Sequence, residues 1–346
     1  MNKFLVELIE AQGPLPIDRY MALCLGHPTF GYYMTRDPLG VKGDFTTAPE
    51  ISQIFGELIG IWCVAAWEAV GAPSPFSLVE LGPGRGTLMA DILRATSKML
   101  EFSNALRVHL VETSPILREA QRAKLECAVT WHDTVASVPQ EPMIFIANEF
   151  FDALPVRQFV KKGGQVFERH LVVQEGALVL ADLPAPFRVF GEDGVHEVSP
   201  ISSIIAEELG ARLQALGGAG LVIDYGHLQS GAGDTLQSMK AHKKVPVLAN
   251  SGTCDLTAHV DFESLAAAFK AGGAEALPPK TQNSFLQDMG LTQRLTTLSA
   301  KLSGNAREDF IAGAKRLVDE NQMGTLFKVL CVGQANRQPL YPFETQ

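Results

Sequence analysis

The sequence predicts an α/β protein with a mainly parallel sheet covered by helices. Three observations carry that prediction. Short apolar runs alternate with stretches of helical periodicity from residue 77 to residue 225. One of those runs leads into a loop with glycine at every second position, and a helix follows it. Hydrophobic residues make up 46% of the chain and charged residues 19%, enough apolar material for a sizeable core and too little charge for global disorder. A chain of 346 residues has room for one large domain with insertions or for two small ones.

Taken in order, the first helix is expected over residues 3–11, with Phe4, Leu5, Leu8 and Ile9 on one face and Gly13-Pro14-Leu15-Pro16 ending it. A second runs over 18–25, capped by Asp18. Residues 26–49 are rich in glycine, proline and threonine and read as a long irregular loop, of a length that often serves function. A strong helix starts at Pro49 and carries Ile51, Ile54, Phe55, Leu58, Ile59 and Trp62. Its ten-residue apolar run, Leu58–Trp67, is too short to span a bilayer. That run reads as core or as an interface, which leaves a homodimer open.

Strands follow at 77–81, 107–112, 129–132, 143–148 and 156–161, with helices at 87–97 and 115–125. Residues 165–181 alternate like a hairpin, about 201–215 read as a helix, and 220–225 as another buried strand. Residues 234–325 look mostly helical and loop-like, and 325–332 form a terminal strand, expected antiparallel to its neighbours. The expected organisation is an N-terminal helical segment with a covering loop (1–70), a ligand-binding core (71–233), a largely helical insertion that meets substrate or partner (234–324), and a terminal strand with its tail (325–346).

The formal charge is 29 − 38 = −9, and the sequence pI is near 5.4. Such a chain repels a phosphate backbone, so nucleic-acid binding is disfavoured, whereas a basic peptide is not repelled. Cys24, Cys63, Cys127, Cys254 and Cys331 are scattered and form no C-x-x-C pair, which argues against a metal site or a disulfide framework and reads as buried small hydrophobes. The first residues lack an apolar signal core and already carry Glu7 and Glu10, so a soluble, cytoplasmic protein without membrane insertion is expected.

The sharpest motif is Val79-Glu80-Leu81-Gly82-Pro83-Gly84-Arg85-Gly86-Thr87. Glycine permits tight turning and close approach of backbone to ligand. N–H groups at the helix start would face an anionic group. A dinucleotide fingerprint needs glycine at position 87, where Thr87 stands, and this weighs against a nicotinamide dehydrogenase. Gly82, Gly84 and Gly86 preceded by Glu80 match the S-adenosyl-L-methionine (SAM) version instead. SAM has no pyrophosphate, and its sulfonium and ammonium favour nearby carboxylates. The next strand ends in Glu112, twenty-six residues after Gly86, placed to accept both ribose hydroxyls. The third ends in Trp131-His132-Asp133, where Asp133 could meet the adenine amino group or act as a turn residue.

Beyond the glycine loop, the chain resembles the MidA family, which includes a mitochondrial complex I assembly factor described as a protein arginine methyltransferase, and bacterial homologues. The resemblance rests on His27-Pro28-x-x-Gly31-Tyr32-Tyr33, on Gly43-Asp44-Phe45-Thr46-Thr47-Ala48-Pro49-Glu50-Ile51-Ser52, and on Glu80-Leu81-Gly82-Pro83-Gly84-x-Gly86. It continues through Asn148-Glu149-Phe150-Phe151-Asp152-Ala153-Leu154-Pro155, Ile223-Asp224-Tyr225-Gly226, Gly233-Asp234-Thr235-Leu236 and Thr257-Ala258-His259-Val260-Asp261-Phe262. It implies a Rossmann-like class I methyltransferase fold with extra helical parts, and transfer of a methyl group from SAM to a protein arginine, with a complex I subunit or another assembly client as acceptor.

An arginine acceptor is always protonated in water, and bringing it to a cationic sulfonium costs Coulomb energy in a dry site. Carboxylates offset that repulsion. Glu149 and Asp152, after the apolar strand ending at Asn148, are therefore expected to clamp the guanidinium and to help remove its proton. Asp152 has a bland alternative as a cap before Pro155. Asn148 is expected on the cofactor. Asp44, Phe45, Thr46 and Thr47 could fold over it, with Thr46 and Thr47 on the methionyl carboxylate, although Thr47 is also a plausible helix cap. His259 could pair with an acid and shape the acceptor site. The rival function is an assembly factor that binds SAM but acts mainly by holding a partner; turnover to S-adenosylhomocysteine separates the two.

Overall fold

The structure, a computed structural model, describes residues 1–37, 46–186, 191–240, 242–335 and 340–343. The chain divides into two units, each assembled from separate segments. Unit 1 comprises Met1–Phe45, Asp152–Ser203 and Gln229–His259; unit 2 comprises Thr46–Phe151, Ile204–Leu228 and Val260–Gln346. The units thus interleave along the sequence instead of following the consecutive segments expected above.

Among the described residues, the main path of the unit 2 sheet has seven strands, β1 (Phe76–Leu81), β2 (Leu106–Val111), β3 (Val129–His132), β4 (Met143–Asn148), β5 (Gly218–His227), β6 (Ala274–Ala276) and β7 (Phe327–Gln334), and two two-residue strands, Val260–Asp261 and Lys280–Thr281, pair with β5 and β7 beside it. The seven lie in the order 3-2-1-4-5-7-6. β1 to β5 are mutually parallel, and β7 runs antiparallel to β5, with Ala219 opposite Gly333 and Tyr225 opposite Phe327. This is the class I methyltransferase arrangement, with the antiparallel terminal strand the sequence predicts. Every residue of β1 and β4 is buried, which is why both are mostly apolar, with Ser77, Glu80 and Asn148 as the polar residues in them. The strand order reverses between β1 and β4, and open α/β sheets bind ligands at the carboxyl ends beside such a reversal.

Three helices flank the glycine-loop end: α1 (Gln53–Ala69), α2 (Thr87–Thr96) and α3 (Pro115–Lys124). The helix expected from Pro49 is in fact two. Pro49 is the second residue of a single turn, Ala48–Ile51, and Ser52 then adopts an extended backbone (φ −156°) and caps α1 by accepting a hydrogen bond from the Ile54 N–H. The apolar run weighed as an interface is core: Leu58, Ile59, Trp62, Cys63 and Trp67 are buried, and Ile61 is the large apolar residue in it that reaches solvent, at 41% exposure. Four cysteines are buried as expected, but Cys127, just past α3, is exposed.

Unit 1 holds two antiparallel sheets. The larger pairs Arg157–Lys162 with Gln165–Gln174 on one side and Gly194–Val198 on the other, and Gln165–Gln174 also pairs with Ala177–Pro184 and with Leu15–Pro16. The strand expected at 156–161 therefore belongs here and not to the parallel sheet. Its core is shared with the helices Asn2–Gln12 and Ile17–Gly26, through Leu5, Ile9, Leu15, Ile17, Tyr20, Met21 and Leu171. Asp18 does not cap the second helix. The chain enters it from extended Pro16, and Asp18 sits in its first turn. The loop expected over 26–49 contains a helical turn, Tyr32–Thr35, of which Tyr32 is buried. The smaller sheet, Lys243–Val245, Gln237–Lys240 and Asp255–Thr257, replaces helix or loop at the start of the expected insertion. Strands of three or four residues are too short to show a period. The helical expectation holds in unit 2 from Phe262 onward. Among the described residues no helix is long and apolar enough to cross a membrane, and no cluster of histidine, cysteine or carboxylates is placed to hold a metal ion.

Candidate functional site: the glycine loop and the strand ends of unit 2

β1 runs into a loop that only glycine accommodates. Gly82, Gly84 and Gly86 have φ of 62°, 53° and 77°, in the left-handed region. A Cβ on Gly82 would also lie 2.9 Å from the Phe150 ring. The Gly82 N–H donates to the Val111 carbonyl (3.0 Å) and the Gly86 N–H to the Pro83 carbonyl (2.8 Å). α2 then begins at Thr87 with no side chain capping it. The Thr87 hydroxyl is engaged instead by Glu50 and Lys124.

Glu80 is 3% exposed, and its Oε2 has no hydrogen-bond partner among the described residues. Burial, with the neighbouring Glu112 charge adding to it, pushes its carboxyl up to about 8. Glu112 follows β2 and is also buried, which raises its pKa against the hydrogen bonds it accepts. Those come from the Ser114 N–H at 2.8 Å and from Gln121 Nε2 at 3.4 Å. Asp133, after β3, is exposed and bridged by Arg118 at 2.7 Å; Arg118 also donates from Nε to the Glu112 carbonyl at 2.7 Å.

β4 ends in Asn148 and Glu149. The Asn148 Oδ1 is buried without a hydrogen-bond partner among the described residues, while its Nδ2 donates to Glu149 Oε1 at 3.3 Å. Glu149 has φ 51°, an uncommon conformation for a residue with a side chain. Its Oε1 accepts from the Ala48 N–H at 3.1 Å, so the carboxylate closes the amino end of the Ala48–Ile51 turn. The turn at Glu149 is held from β5. Asp224, 0% exposed, accepts from the Phe150 and Phe151 N–H groups at 3.2 and 3.0 Å through Oδ2, and from the Tyr225 N–H at 3.0 Å through Oδ1.

Glu80, Gly82, Gly84, Gly86, Glu112, Asp133, Asn148 and Glu149 thus all stand at or just past the ends of β1 to β4. Thr46 and Thr47 belong to the same unit and are half-buried. Thr47 starts the Ala48–Ile51 turn through its backbone carbonyl, and its hydroxyl makes no cap bond. Gly43, Asp44 and Phe45 lie outside the described residues. Asp152 and His259 fall in unit 1. Asp152 is buried, its carbonyl accepts from the Ala258 N–H at 3.0 Å, and its charge helps to raise the pKa of Tyr33, after burial and Asp255. Tyr33 donates to Asp255 at 2.9 Å. The His259 N–H donates to Thr235 Oγ1 at 2.8 Å.

Two residues escape a reading of the sequence for site chemistry. The signal for Asp224 is an acid inside an otherwise apolar strand, which needs a buried partner. Gln121 leaves no local signal, since it is one polar residue among several on α3.

The residues present suit SAM. Two buried oxygens, Glu80 Oε2 and Asn148 Oδ1, have no hydrogen-bond partner among the described residues, and the glycines keep Cβ atoms away from the strand end. A ligand with an ammonium, hydroxyls and a positive sulfur supplies what those acceptors need.

Comparison with known proteins agrees. The family described as "Putative S-adenosyl-L-methionine-dependent methyltransferase" matches residues 58–280. "Protein arginine methyltransferase NDUFAF7, mitochondrial" of Homo sapiens is 38% identical over 362 residues, covering 94% of this chain and 82% of the relative. Its Xenopus tropicalis counterpart is 37% identical over 369 residues, covering 96% and 85%. A solved structure from Burkholderia thailandensis, bound to S-adenosyl-homocysteine, matches with a TM-score of 0.84 at 27% identity, covering 96% of this chain and 91% of that one. These relatives are named mitochondrial, so the cytoplasmic location expected from the first residues does not stand. With its topology, its glycine loop and full-length relatives in agreement, the chain belongs to the S-adenosyl-L-methionine-dependent methyltransferase family and is an enzyme that uses that cofactor.

Proposed function

We propose that this enzyme methylates an arginine side chain of a protein. The observation that carries the reading is Glu149, a carboxylate held in a left-handed turn at the end of β4, in the same unit as the glycine loop. The relatives' named activity supports the same acceptor. The finer expectation, a respiratory complex I subunit as client, rests on the family resemblance.

In this reading Gly82, Gly84 and Gly86 give the cofactor backbone access, Glu80 and Asn148 accept from its methionyl end, Thr46 and Thr47 donate to its methionyl carboxylate, and Glu112 and Asp133 take the ribose and adenine. Bound SAM supplies an electrophilic methyl carbon on a positive sulfonium. Glu149 offsets the repulsion that a guanidinium meets there, orients its planar fork by charge-assisted hydrogen bonds, and accepts the proton that the methylated nitrogen releases. Ala48 and Asn148 hold Oε1 and so set the plane of the carboxylate. Positioning of this kind contributes about 7–11 kcal/mol in favourable cases. The roles expected for Asp152 and His259, both in unit 1, rest on the family resemblance.

The test uses purified enzyme, labelled SAM and a protein extract depleted of methylation. Methylarginine is expected in one or a few proteins, with stoichiometric S-adenosylhomocysteine. E149Q should bind S-adenosylhomocysteine within about threefold of wild type and lose about 100-fold or more in turnover, the usual scale of a lost acid–base group. Label on another side chain or on a small molecule, or full turnover by E149Q, would overturn the assignment.

A further inference from the structure

We infer that Gln121 of α3 is the positioning residue that holds the cofactor-binding loop and the ribose acid in one register. This rests on the reading that Gly82–Gly86 and Glu112 hold SAM. Gln121 is 0% exposed, yet every polar atom of its amide is used. Its Nε2 donates to the Gly84 carbonyl at 2.6 Å and to Glu112 Oε2 at 3.4 Å, while its Oε1 accepts from the Trp131 indole N–H at 2.7 Å. Only one orientation of the amide satisfies these partners, because a flip would set its oxygen against a carbonyl and a carboxylate.

The three partners come from three different places: the loop after β1, the end of β2, and β3. The Gly84 carbonyl, in a turn of left-handed glycines, takes this donor from across the loop. The aliphatic part of Gln121 also sits where a Cβ on Gly86 would approach to 3.3 Å, so the side chain supports the loop by contact as well as by hydrogen bonding. The Arg122 guanidinium lies over the Trp131 ring, 4.7 Å from its centroid, and helps to keep the indole in place to donate. A buried, fully satisfied amide of this kind specifies one geometry, since every alternative leaves a buried group unpaired.

The experiment measures S-adenosylhomocysteine binding by calorimetry and SAM turnover for wild type, Q121L, Q121E, E112Q and the Q121L/E112Q double variant, all full-length. Q121L leaves the Gly84 carbonyl and the Trp131 N–H without their buried partner. It is expected to raise the Kd for S-adenosylhomocysteine and the KM for SAM by about 10-fold to 100-fold, the range for an orphaned buried group, with kcat within about twofold. Q121E, which puts a second carboxylate beside Glu112, should be weaker still. Q121L and E112Q should be less than additive, because part of each effect runs through the same hydrogen bond.

A merely structural glutamine would lower the folded fraction and kcat while leaving KM and Kd unchanged, and that result would overturn the proposal. So would strict additivity with E112Q together with wild-type affinity in Q121E. If Q121L does not fold, Q121E and the E112Q comparison still decide. G82V and E112Q keep the two readings apart. If both bind S-adenosylhomocysteine as wild type does, the site reading fails; if both lose affinity while Q121L and Q121E do not, only the role of Gln121 fails.

Discussion

The glycine-loop end of unit 2 and the larger sheet of unit 1 both bury polar groups, but they treat them in opposite ways. In unit 2, Glu80 and Asn148 each keep a buried oxygen that no described residue satisfies. In unit 1, charge is met by charge. Arg157 pairs with Glu168 at 2.7 Å. Arg169 reaches Asp234 at 2.8 Å and Asp182 at 3.3 Å, and Gln158 bonds both Glu197 and Asp234. Glu197 in turn accepts from the Leu236 N–H at 3.0 Å, tying residues 229–259 to the sheet. A satisfied network makes a structure specific, whereas unsatisfied buried acceptors cost stability until a ligand supplies donors. The contrast separates a region built to hold itself from one built to hold something else.

The contrast is broken most directly at Gly82. A valine there meets both a forbidden φ and the Phe150 ring, so G82V should weaken S-adenosylhomocysteine binding by more than about 100-fold, in line with a strained backbone plus a clash. Calorimetric affinity near wild type would show that the loop does not meet the cofactor.

Asp224 tests whether the strained end of β4 depends on one buried acid. D224A removes the acceptor for three backbone N–H groups. Turnover should fall by about 10-fold to 100-fold as the Glu149 turn relaxes, with S-adenosylhomocysteine affinity within about threefold. Equal losses in affinity and turnover would mean that Asp224 supports the cofactor site as well.

In unit 1 the expectation is reversed. R169M should lower unfolding stability by about 1–3 kcal/mol, since Arg169 is largely enclosed and leaves Asp182 and Asp234 behind, while cofactor affinity changes by less than about twofold. Denaturant titration and calorimetry read the two quantities separately.

A further test concerns pH. The Glu80 carboxyl rises from its ordinary 4.5 to about 8 on folding, chiefly through burial. A raised carboxyl pKa favours the protonated folded form, so its contribution is fully present below about 4.5 and is lost as pH climbs towards 8. E80Q should therefore flatten the fall in stability of the unliganded protein across that window, by at most about 1.4 kcal/mol per pH unit. An unchanged slope would show that Glu80 is already ionised in the folded protein.

Much of unit 2 is legible in the sequence because its signals are local. β1, β4 and β5 are buried along nearly their whole length, so most of their residues are apolar and an acid among them stands out. The left-handed loop had to be glycine at each turning position. Glu112 and Asp133 could be placed because an acid just after an apolar strand needs no distant information to be found. Unit 1 offers fewer such signals. Its strands alternate weakly, its small sheet has strands of three or four residues, and Glu149 and Asp152, adjacent in one motif, fall on opposite sides of the unit boundary.

The sequence by itself determined the parallel sheet, the SAM-type glycine loop, the acids after the strands and the antiparallel last strand. In each case a residue's burial or backbone angle restricts what that same position can hold. Tertiary structure alone decided how three distant segments combine into unit 1, that Asp224 holds the turn at Glu149, and that Gln121 joins the Gly84 carbonyl, Glu112 and Trp131. Those are pairings between residues far apart in the chain. A polar side chain's own position shows that it needs partners, and only the folded chain shows which ones it has.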